Sequence, residues 1–438
     1  MTGPPRKAGH RVRAVALTVT SAAQHRGASL QAVLNRELTA LQTLSPQDKH
    51  LITELSYGYL RMKGRIDAVL SWNLSGNKRK LPPPYLNALG LAVYELLFLD
   101  RIPPYATLDV TVQRIKAVWG KGLAGLANAL LRKILSKQAD LQRMEYYQDR
   151  SADRLGWLSS YYSCPPWLIQ ILLNSQEKKK TEIVLRQSLR APLLGIRVNQ
   201  TQPGAKALFD RLQTEADPLI AQFPGLGFHK TPDHIHCYET KGLCSRQSLA
   251  AQTALSSLHP SEWARPVWDA CCGFGGKTCQ LLETGLDPVW ASDRSCTKVQ
   301  ACRREIRRLA LPETSLLCTD ASKPPPLNRS PATVLLDVPC SGFGVLNRRP
   351  DIKWKHSPST ILDLRHLQAE MLRSACDATK SRGQIVYLTC TLNSQENTET
   401  IQRILKEYPE KILLEHEYAT PVDSLMGEYF YAAVLRKR

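Results

Sequence analysis

The chain has 438 residues, which at roughly 100 to 200 residues per domain corresponds to about two to four domains and excludes a tiny disulfide-stapled scaffold. Hydrophobic residues make up 43% and charged residues 22%, so a sizeable core can form and wholesale disorder is excluded. The 58 Lys and Arg against 39 Asp and Glu give +19, and residues 1–150 hold 22 of those basic residues against only 10 of the acidic ones. A basic module attached to a nearly balanced one reads as a platform for a polyanion, nucleic acid ahead of membrane, with a merely basic protein as the plainer alternative.

Twelve cysteines are scattered without a single Cys-x-x-Cys pair, which supports neither a disulfide framework nor a zinc ribbon. Reduced thiols in a cytoplasmic setting and no metal site are expected. The start, Met1 to Lys7, lacks the apolar stretch of a secretory leader. The longest apolar region, Leu86 to Leu99, is too short for a membrane span and is interrupted by Asn87 and Glu95.

From Arg13 to about Ser136 apolar residues recur at helical spacing, as in Leu30, Val33, Leu34, Leu38 and Leu41, predicting an all-α domain over 1–140. Its helices are punctuated by a basic, proline-rich break at Asn77 to Pro84 and by Pro103-Pro104, where consecutive prolines cannot continue a helix. A connecting α+β subdomain is expected over 141–245, containing Cys164-Pro-Pro-Trp167 and a strand at Leu194 to Val198. Over 246–438 short apolar strands alternate with amphipathic helices, the signature of an α/β domain with a mainly parallel sheet. Strands are predicted at Pro266–Trp268, Val289–Ser292, Ser315–Cys318, Thr333–Leu336 and Gln384–Leu388, with a terminal pair at Ile412–Glu415 and Tyr429–Arg436. The five strands run into Asp269, Asp293, Asp320, Asp337 and Cys390, and groups beyond the carboxyl ends of parallel strands face the ligand crevice of an open α/β sheet.

Three constellations sit at those strand ends. The first is Asp269-Ala-Cys-Cys-Gly-Phe-Gly-Gly-Lys-Thr278, where glycines permit close backbone approach and Asp293 follows Gly273 by 20 residues, the spacing of a carboxylate that grips ribose hydroxyls. A tight strand-to-helix turn explains the same glycines, so this pattern alone leaves both readings open. A Walker loop is excluded, because Gly276-Lys277-Thr278 would need its companion glycine at position 271, which is Cys271. The second is Leu336-Asp-Val-Pro-Cys-Ser-Gly-Phe-Gly344, followed by Arg348-Arg-Pro-Asp-Ile-Lys-Trp354. The third is Thr389-Cys390-Thr391 followed by Asn393-Ser-Gln-Glu-Asn397, which opens a helix. Two thiols beside a nucleoside loop suit addition to an electrophilic ring, since the thiolate is the nucleophile. Cys279, Cys302, Cys318 and Cys376 read instead as small buried hydrophobes.

At these residues the sequence resembles the RsmB/Sun (Fmu) branch of the NOL/NSUN-type RNA cytosine-5 methyltransferases, over the whole of the predicted α/β domain. Asp337-Val-Pro-Cys340 resembles the family's Asp-Ala-Pro-Cys signature, and Thr389-Cys390 its second-cysteine signature. The first 135 or so residues resemble a NusB-like RNA-binding domain through Val93-Tyr-Glu-Leu96, Ile102-Pro-Pro104 and Asn128 to Lys133. The family loop usually reads Cys-Ala-Ala-Pro-Gly-Gly-Lys, whereas Phe274 stands here in place of the proline; Phe343 is a second departure.

The resemblance implies a Rossmann-like catalytic domain and S-adenosyl-L-methionine held by Cys271, Cys272, Gly273, Phe274, Gly275, Gly276 and Lys277, with Asp293 on the ribose, Asp320 near the adenine amino group, and Asp337 adjoining. It further implies Cys390 as the nucleophile at cytosine carbon-6, Cys340 as the residue assisting release, and Asp337 as the group that holds the base and protonates ring nitrogen 3. The target cytosine must be unpaired or flipped, and small-subunit ribosomal RNA is the expected partner. The N-terminal domain with Arg348, Arg349, Lys353 and Trp354 would supply phosphate contacts and stacking. Oligomeric state is left open, with a monomer favoured. A non-catalytic RNA-binding, assembly or antitermination factor with a decayed second domain is the alternative; a nicotinamide dehydrogenase leaves the paired cysteines unused.

Overall fold

A computed structural model describes residues 5–25, 29–41, 43–74, 81–230 and 232–438. The first four residues read for a leader, and residues 77–80 of the basic break, lie outside the described ones. Contacts divide the chain into two compact units, Met1–Arg190 with Leu346–His356, and Ala191–Val345 with Ser357–Arg438.

The first unit is helical: α1 (Pro5–Ala23), α2 (Leu30–Ala40), α3 (Pro46–Asn73), α4 (Pro83–Phe98), α5 (Pro104–Leu135), α6 (Arg154–Tyr161), α7 (Pro166–Ser175) and α8 (Lys178–Ser188). Ser29 and Ser45 cap α2 and α3 by accepting the Ala32 and Asp48 N–H groups, and prolines open α3, α4, α5 and α7, where the missing N–H costs nothing. Helix α5 is broken at Gly120, whose φ of 87° is unavailable to a helical residue, a break that periodicity did not reveal. Helix α4 is apolar nearly all round and is buried accordingly at Tyr85 and from Ala88 to Leu97. Its Glu95, 2% exposed, is satisfied there by the Arg13 Nε–H at 2.8 Å and the Thr107 hydroxyl at 2.7 Å. No helix among the described residues is long and apolar enough to cross a membrane.

The segment Leu346–His356 corrects one expectation. Lys353 is 1% exposed and its ammonium donates to the Arg61 carbonyl at 2.8 Å, while the Trp354 indole N–H donates to the Leu60 carbonyl at 2.7 Å. Burial, opposed by Cys164 and helped by Arg61, brings the Lys353 pKa down to about 7. Gly64 makes room for the indole, since a Cβ there would lie 2.9 Å from the Trp354 ring. Lys353 is therefore an anchor in the helical core and not a phosphate contact, and Trp354, half-buried, packs against that core; of the four residues named, Arg349 is the exposed one and Arg348 is half-buried. A basic-aromatic run reads as nucleic-acid binding until packing shows which of its members are inside.

The second unit carries two sheets. Strands β1 (Leu194–Val198), β2 (Ile220–Gln222), β3 (Gly225–Phe228) and β4 (Cys244–Arg246) form an antiparallel sheet in the order β2-β3-β1-β4, with α9 (Ala205–Ala216) beside it. After α10 (Leu249–Ser256) comes the Rossmann-like sheet of β5 (Val267–Asp269), β6 (Val289–Asp293), β7 (Ser315–Cys318), β8 (Thr333–Asp337), β9 (Gln384–Thr389), β10 (Ile412–Ala419) and β11 (Tyr431–Lys437). Its order is β10-β11-β9-β8-β5-β6-β7; β5 to β9 are parallel and the last two strands antiparallel. Helices α11 (Gly276–Glu283), α12 (Cys296–Arg308), α13 (Pro358–Ala378) and α14 (Thr398–Glu407) follow β5, β6, β8 and β9 respectively. The apolar runs of the central strands β8 and β9 are buried, as continuous apolar strands require when both faces of a sheet are covered, and only Asp337 at the end of β8 is half-buried. The buried Arg197 on β1 pairs with Glu283 at 2.8 Å and donates to the Gly276 carbonyl at 3.0 Å, so the small sheet braces the helix that begins at the Gly-rich loop.

Candidate active site

Strand order places the switch point between β5 and β8, which leave the sheet in opposite directions, so the carboxyl ends of β5, β6, β8 and β9 converge on one crevice. From β5 the chain enters the Gly-rich loop. Gly273 and Gly275 have φ of 55° and 92°, and a Cβ on Gly275 would lie 2.9 Å from the Cys302 sulfur, so the turn requires glycine there. The Cys272 N–H donates to the Ser292 carbonyl at 2.8 Å and the Gly273 N–H to Asp293 Oδ2 at 3.2 Å. Asp293, 20 residues downstream in sequence, thus abuts the loop as its spacing implied; Lys298 lies 3.5 Å from it. Cys272 turns inward, its thiol raised by a hydrogen bond with Cys302 and by burial, which leaves only its backbone for the crevice. Phe274 is presented outward, 68% exposed. Asp320 lies in the turn after β7, its pKa lowered by the Ser322 N–H and hydroxyl donating to Oδ1 at 3.0 and 2.8 Å. Positive-φ glycines, the open first turn of α11 and carboxylates after neighbouring strands together fit a nucleoside carrying vicinal hydroxyls and an aliphatic carboxylate.

The two thiols meet: Cys340 Sγ and Cys390 Sγ are 3.2 Å apart, at the ends of β8 and β9. The hydrogen bond shared with Cys390, then burial, then the charges of Cys390 and Glu396 push the Cys340 thiol well above its ordinary range. Cys340 is consequently held toward its protonated form beside the Cys390 sulfur, and its own sulfur accepts the Cys390 N–H at 3.3 Å. Lys277, from the first turn of α11, pairs with Asp337 Oδ2 at 2.6 Å. Burial alone would lower its pKa, but the charge and hydrogen bond of Asp337 outweigh burial and hold the ammonium above its usual range, with Cys390 adding to the effect. The lysine is therefore a half-buried charge beside the thiols.

Burial and hydrogen bonding give roles to residues that the sequence reading placed at strand ends without assigning them one. Asp269, 1% exposed, accepts the Thr278 hydroxyl at 2.6 Å and the Cys271 N–H at 3.3 Å; burial carries its pKa to about 7, against the Thr278 hydrogen bond and reinforced by Asp337. Glu396, fully buried, accepts the Ser341 N–H at 2.8 Å, the Gln368 amide at 3.0 Å and the Asn393 amide at 3.0 Å. It fastens the Cys340 loop to the turn after Cys390, and Asn397 completes the fastening by donating to the Thr391 carbonyl and accepting the Thr389 hydroxyl. The available signal was the polar cluster Asn393 to Asn397 directly after a strand end, which reads as a helix start until its burial is known.

The expectation of uniformly reduced thiols is also corrected. Cys296 and Cys318 are disulfide-bonded with Cα atoms 5.3 Å apart, and Cys318 is exposed, unlike the buried Cys279, Cys302 and Cys376. Parallel pairing of β6 with β7 brings together residues 22 apart in sequence, which spacing alone cannot show.

Residues 255–436 match the family model of the 16S rRNA methyltransferase RsmB/F, and residues 10–136 that of the NusB family. The chain is 32% identical to ribosomal RNA small subunit methyltransferase B of Vibrio cholerae, over 91% of this chain and 92% of that protein. It is 30% identical to the probable ribosomal RNA small subunit methyltransferase B of Synechocystis, over 86% of this chain and 85% of that one. Among solved structures, PH0851 aligns over the full length of both chains with a TM-score of 0.77 at 21% identity. A methyltransferase homolog from Pyrococcus horikoshii aligns over 64% of this chain and 98% of its own with a TM-score of 0.55 at 19% identity. At those identities the two structures show a shared fold. The relatives span most of the chain, and with the two family matches they establish that this protein belongs to the RsmB/F family of 16S rRNA methyltransferases, with a NusB-type helical region ahead of its methyltransferase sheet.

Proposed function

We propose that this S-adenosylmethionine-dependent RNA cytosine-5 methyltransferase acts on a cytosine of small-subunit ribosomal RNA through a covalent adduct formed by Cys390. The single observation that supports the assignment most is the 3.2 Å approach of Cys340 and Cys390 beside the Lys277 ammonium. Cytosine carbon-5 is a poor nucleophile, so the ring must first be converted to an enamine-like form by thiolate addition at carbon-6. Cys390 performs that addition, and Lys277 favours its negative form by charge. Asp337 engages the base, and the proton taken up by ring nitrogen 3 is delivered through the Lys277–Asp337 hydrogen bond. Bound S-adenosylmethionine supplies the electrophilic methyl group. After carbon-5 gives its proton to solvent water and ring nitrogen 3 returns its proton through Asp337, the carbon–sulfur bond breaks and Cys340, which holds its own proton, assists departure of the Cys390 thiolate.

Cys271, Gly273, Phe274, Gly275, Gly276 and Lys277 with the backbone of Cys272 form the cofactor cradle, Asp293 takes the ribose hydroxyls and Asp320 the adenine amino group. The basic residues of the N-terminal region and Arg349 carry RNA phosphates, and the protein works in the cytoplasm. Single-turnover transfer of labelled methyl to 16S ribosomal RNA by Cys390→Ala, run beside a cofactor titration, tests this reading. Transfer is expected to vanish with cofactor affinity retained; transfer at the wild-type rate removes Cys390 from the nucleophile role.

A further inference from the structure

Two cysteines outside the reacting pair lie between the carboxylates assigned to the cofactor. Cys296 is the first residue of α12, three positions after Asp293, and Cys318 ends β7, two positions before Asp320. The sheet register sets Cys318 directly opposite Asp293, and the disulfide joins the two strand ends. Strand β7 is the edge of the seven-stranded sheet, bonded on one side only, and none of its four residues is buried. Beyond the ladder, the Thr319 N–H to Asp293 carbonyl hydrogen bond, at 3.3 Å, continues the tie between these strand ends. An edge strand with so little burial opens locally at low cost, and its end carries Asp320. The covalent link therefore ties the strand end that leads to Asp320 to the helix start that follows Asp293.

We propose that Cys296 and Cys318 form a reversible thiol–disulfide site, modified by low-molecular-weight disulfides, whose oxidised state sets the cofactor carboxylates in their binding arrangement. The proposal rests on the assignment of Asp293 and Asp320 to the cofactor. Both cysteines are exposed, so small reagents reach them. Cys296 heads a 13-residue helix, a position that favours a thiolate. That thiolate attacks one sulfur of the small disulfide, displacing one thiolate and forming a mixed disulfide. Cys318, on losing its proton, attacks the Cys296 sulfur and releases the second small thiolate. Two protein thiols thus give up two protons and two electrons, and the small disulfide leaves as two thiols. A small dithiol reverses both steps, returning two free thiols at the ends of β6 and β7. Disulfides in a cytoplasmic protein are ordinarily of this responsive kind.

The test uses the full chain carrying Cys340→Ala and Cys390→Ala, which removes the reacting thiol pair; the remaining close pair, Cys272 and Cys302, is buried and its state is followed in the same mapping. Calorimetric titration with S-adenosylmethionine is performed after equilibration with oxidised glutathione and after reduction with dithiothreitol, and alkylation with mass mapping reports the state of each cysteine. Reduction is expected to weaken binding about five- to tenfold, the lower end of ordinary coupling between sites. Adding Cys296→Ser and Cys318→Ser should fix the weaker affinity under both conditions. Equal affinities in the two mapped states overturn the proposal, as does alkylation of both cysteines after oxidised glutathione. Asp293→Ala in the same background separates the two ideas: unchanged affinity defeats the cofactor assignment, whereas weakened affinity without a redox difference defeats only the switch.

Discussion

Replacing Asp269 with Asn should remove a pH dependence of stability that runs opposite to the usual carboxylate pattern. Burial raises this carboxyl from 3.8 to about 7, so the folded protein holds the proton more tightly than the unfolded chain does. The stabilisation is fully present below the unfolded pKa and is lost as pH rises through about 7. The whole displacement corresponds to about 4 kcal/mol at about 1.4 kcal/mol per tenfold, of which about 2.5 kcal/mol falls between about pH 5 and about pH 8. Asn presents the same oxygen to the Cys271 N–H and an amide to the Thr278 hydroxyl, imitating the protonated acid without titrating. Urea unfolding of both proteins at the two pH values cancels every other titrating group. The variant should gain about 2.5 kcal/mol on the wild type between the lower and the higher pH. A difference that stays constant within about 0.5 kcal/mol would show that Asp269 is already ionised in the folded protein, and the argument from its burial would fail.

Lys353→Met tests the opposite slope: lowering of the amine from 10.5 to about 7 should make wild-type stability rise by about 3 kcal/mol between about pH 7 and about pH 9.5, and the variant should lack this rise in the same urea assay. Glu396→Ala strands three buried donors at about 1 to 3 kcal/mol each, so unfolding free energy should drop by about 3 to 5 kcal/mol and methyl transfer at least about tenfold; an unchanged denaturation midpoint would contradict the clamp. Cys340→Ala should leave addition and methylation intact but slow release, giving a protein–RNA conjugate on denaturing gels that Cys340→Ala/Cys390→Ala lacks. A conjugate persisting in the double variant would mean that another residue is attached.

Much of this protein is legible in its sequence because local rules act over a few residues. Period-3.6 apolar spacing and paired prolines mark α3 to α5, and short apolar runs ending in an acid or a thiol mark β5 to β9. The reacting groups stand out because each closes a strand, and parallel strands point their carboxyl ends the same way. What the sequence leaves undetermined is distance and burial. Asp269 reads as one strand-ending acid among several, and only the packing that leaves it 1% exposed moves its titration to neutrality. Lys353 and Trp354 read as RNA contacts, yet the helical core encloses Lys353 and holds Trp354 half-buried against it, because hydrogen bonds to the Arg61 and Leu60 carbonyls satisfy their polar atoms there. Cys296 and Cys318 are indistinguishable from the other scattered cysteines until β6 and β7 pair in register. The sequence determined the elements and the chemical types at their ends; the tertiary structure decided which of them meet, since burial and charge pairing depend on neighbours brought from far along the chain.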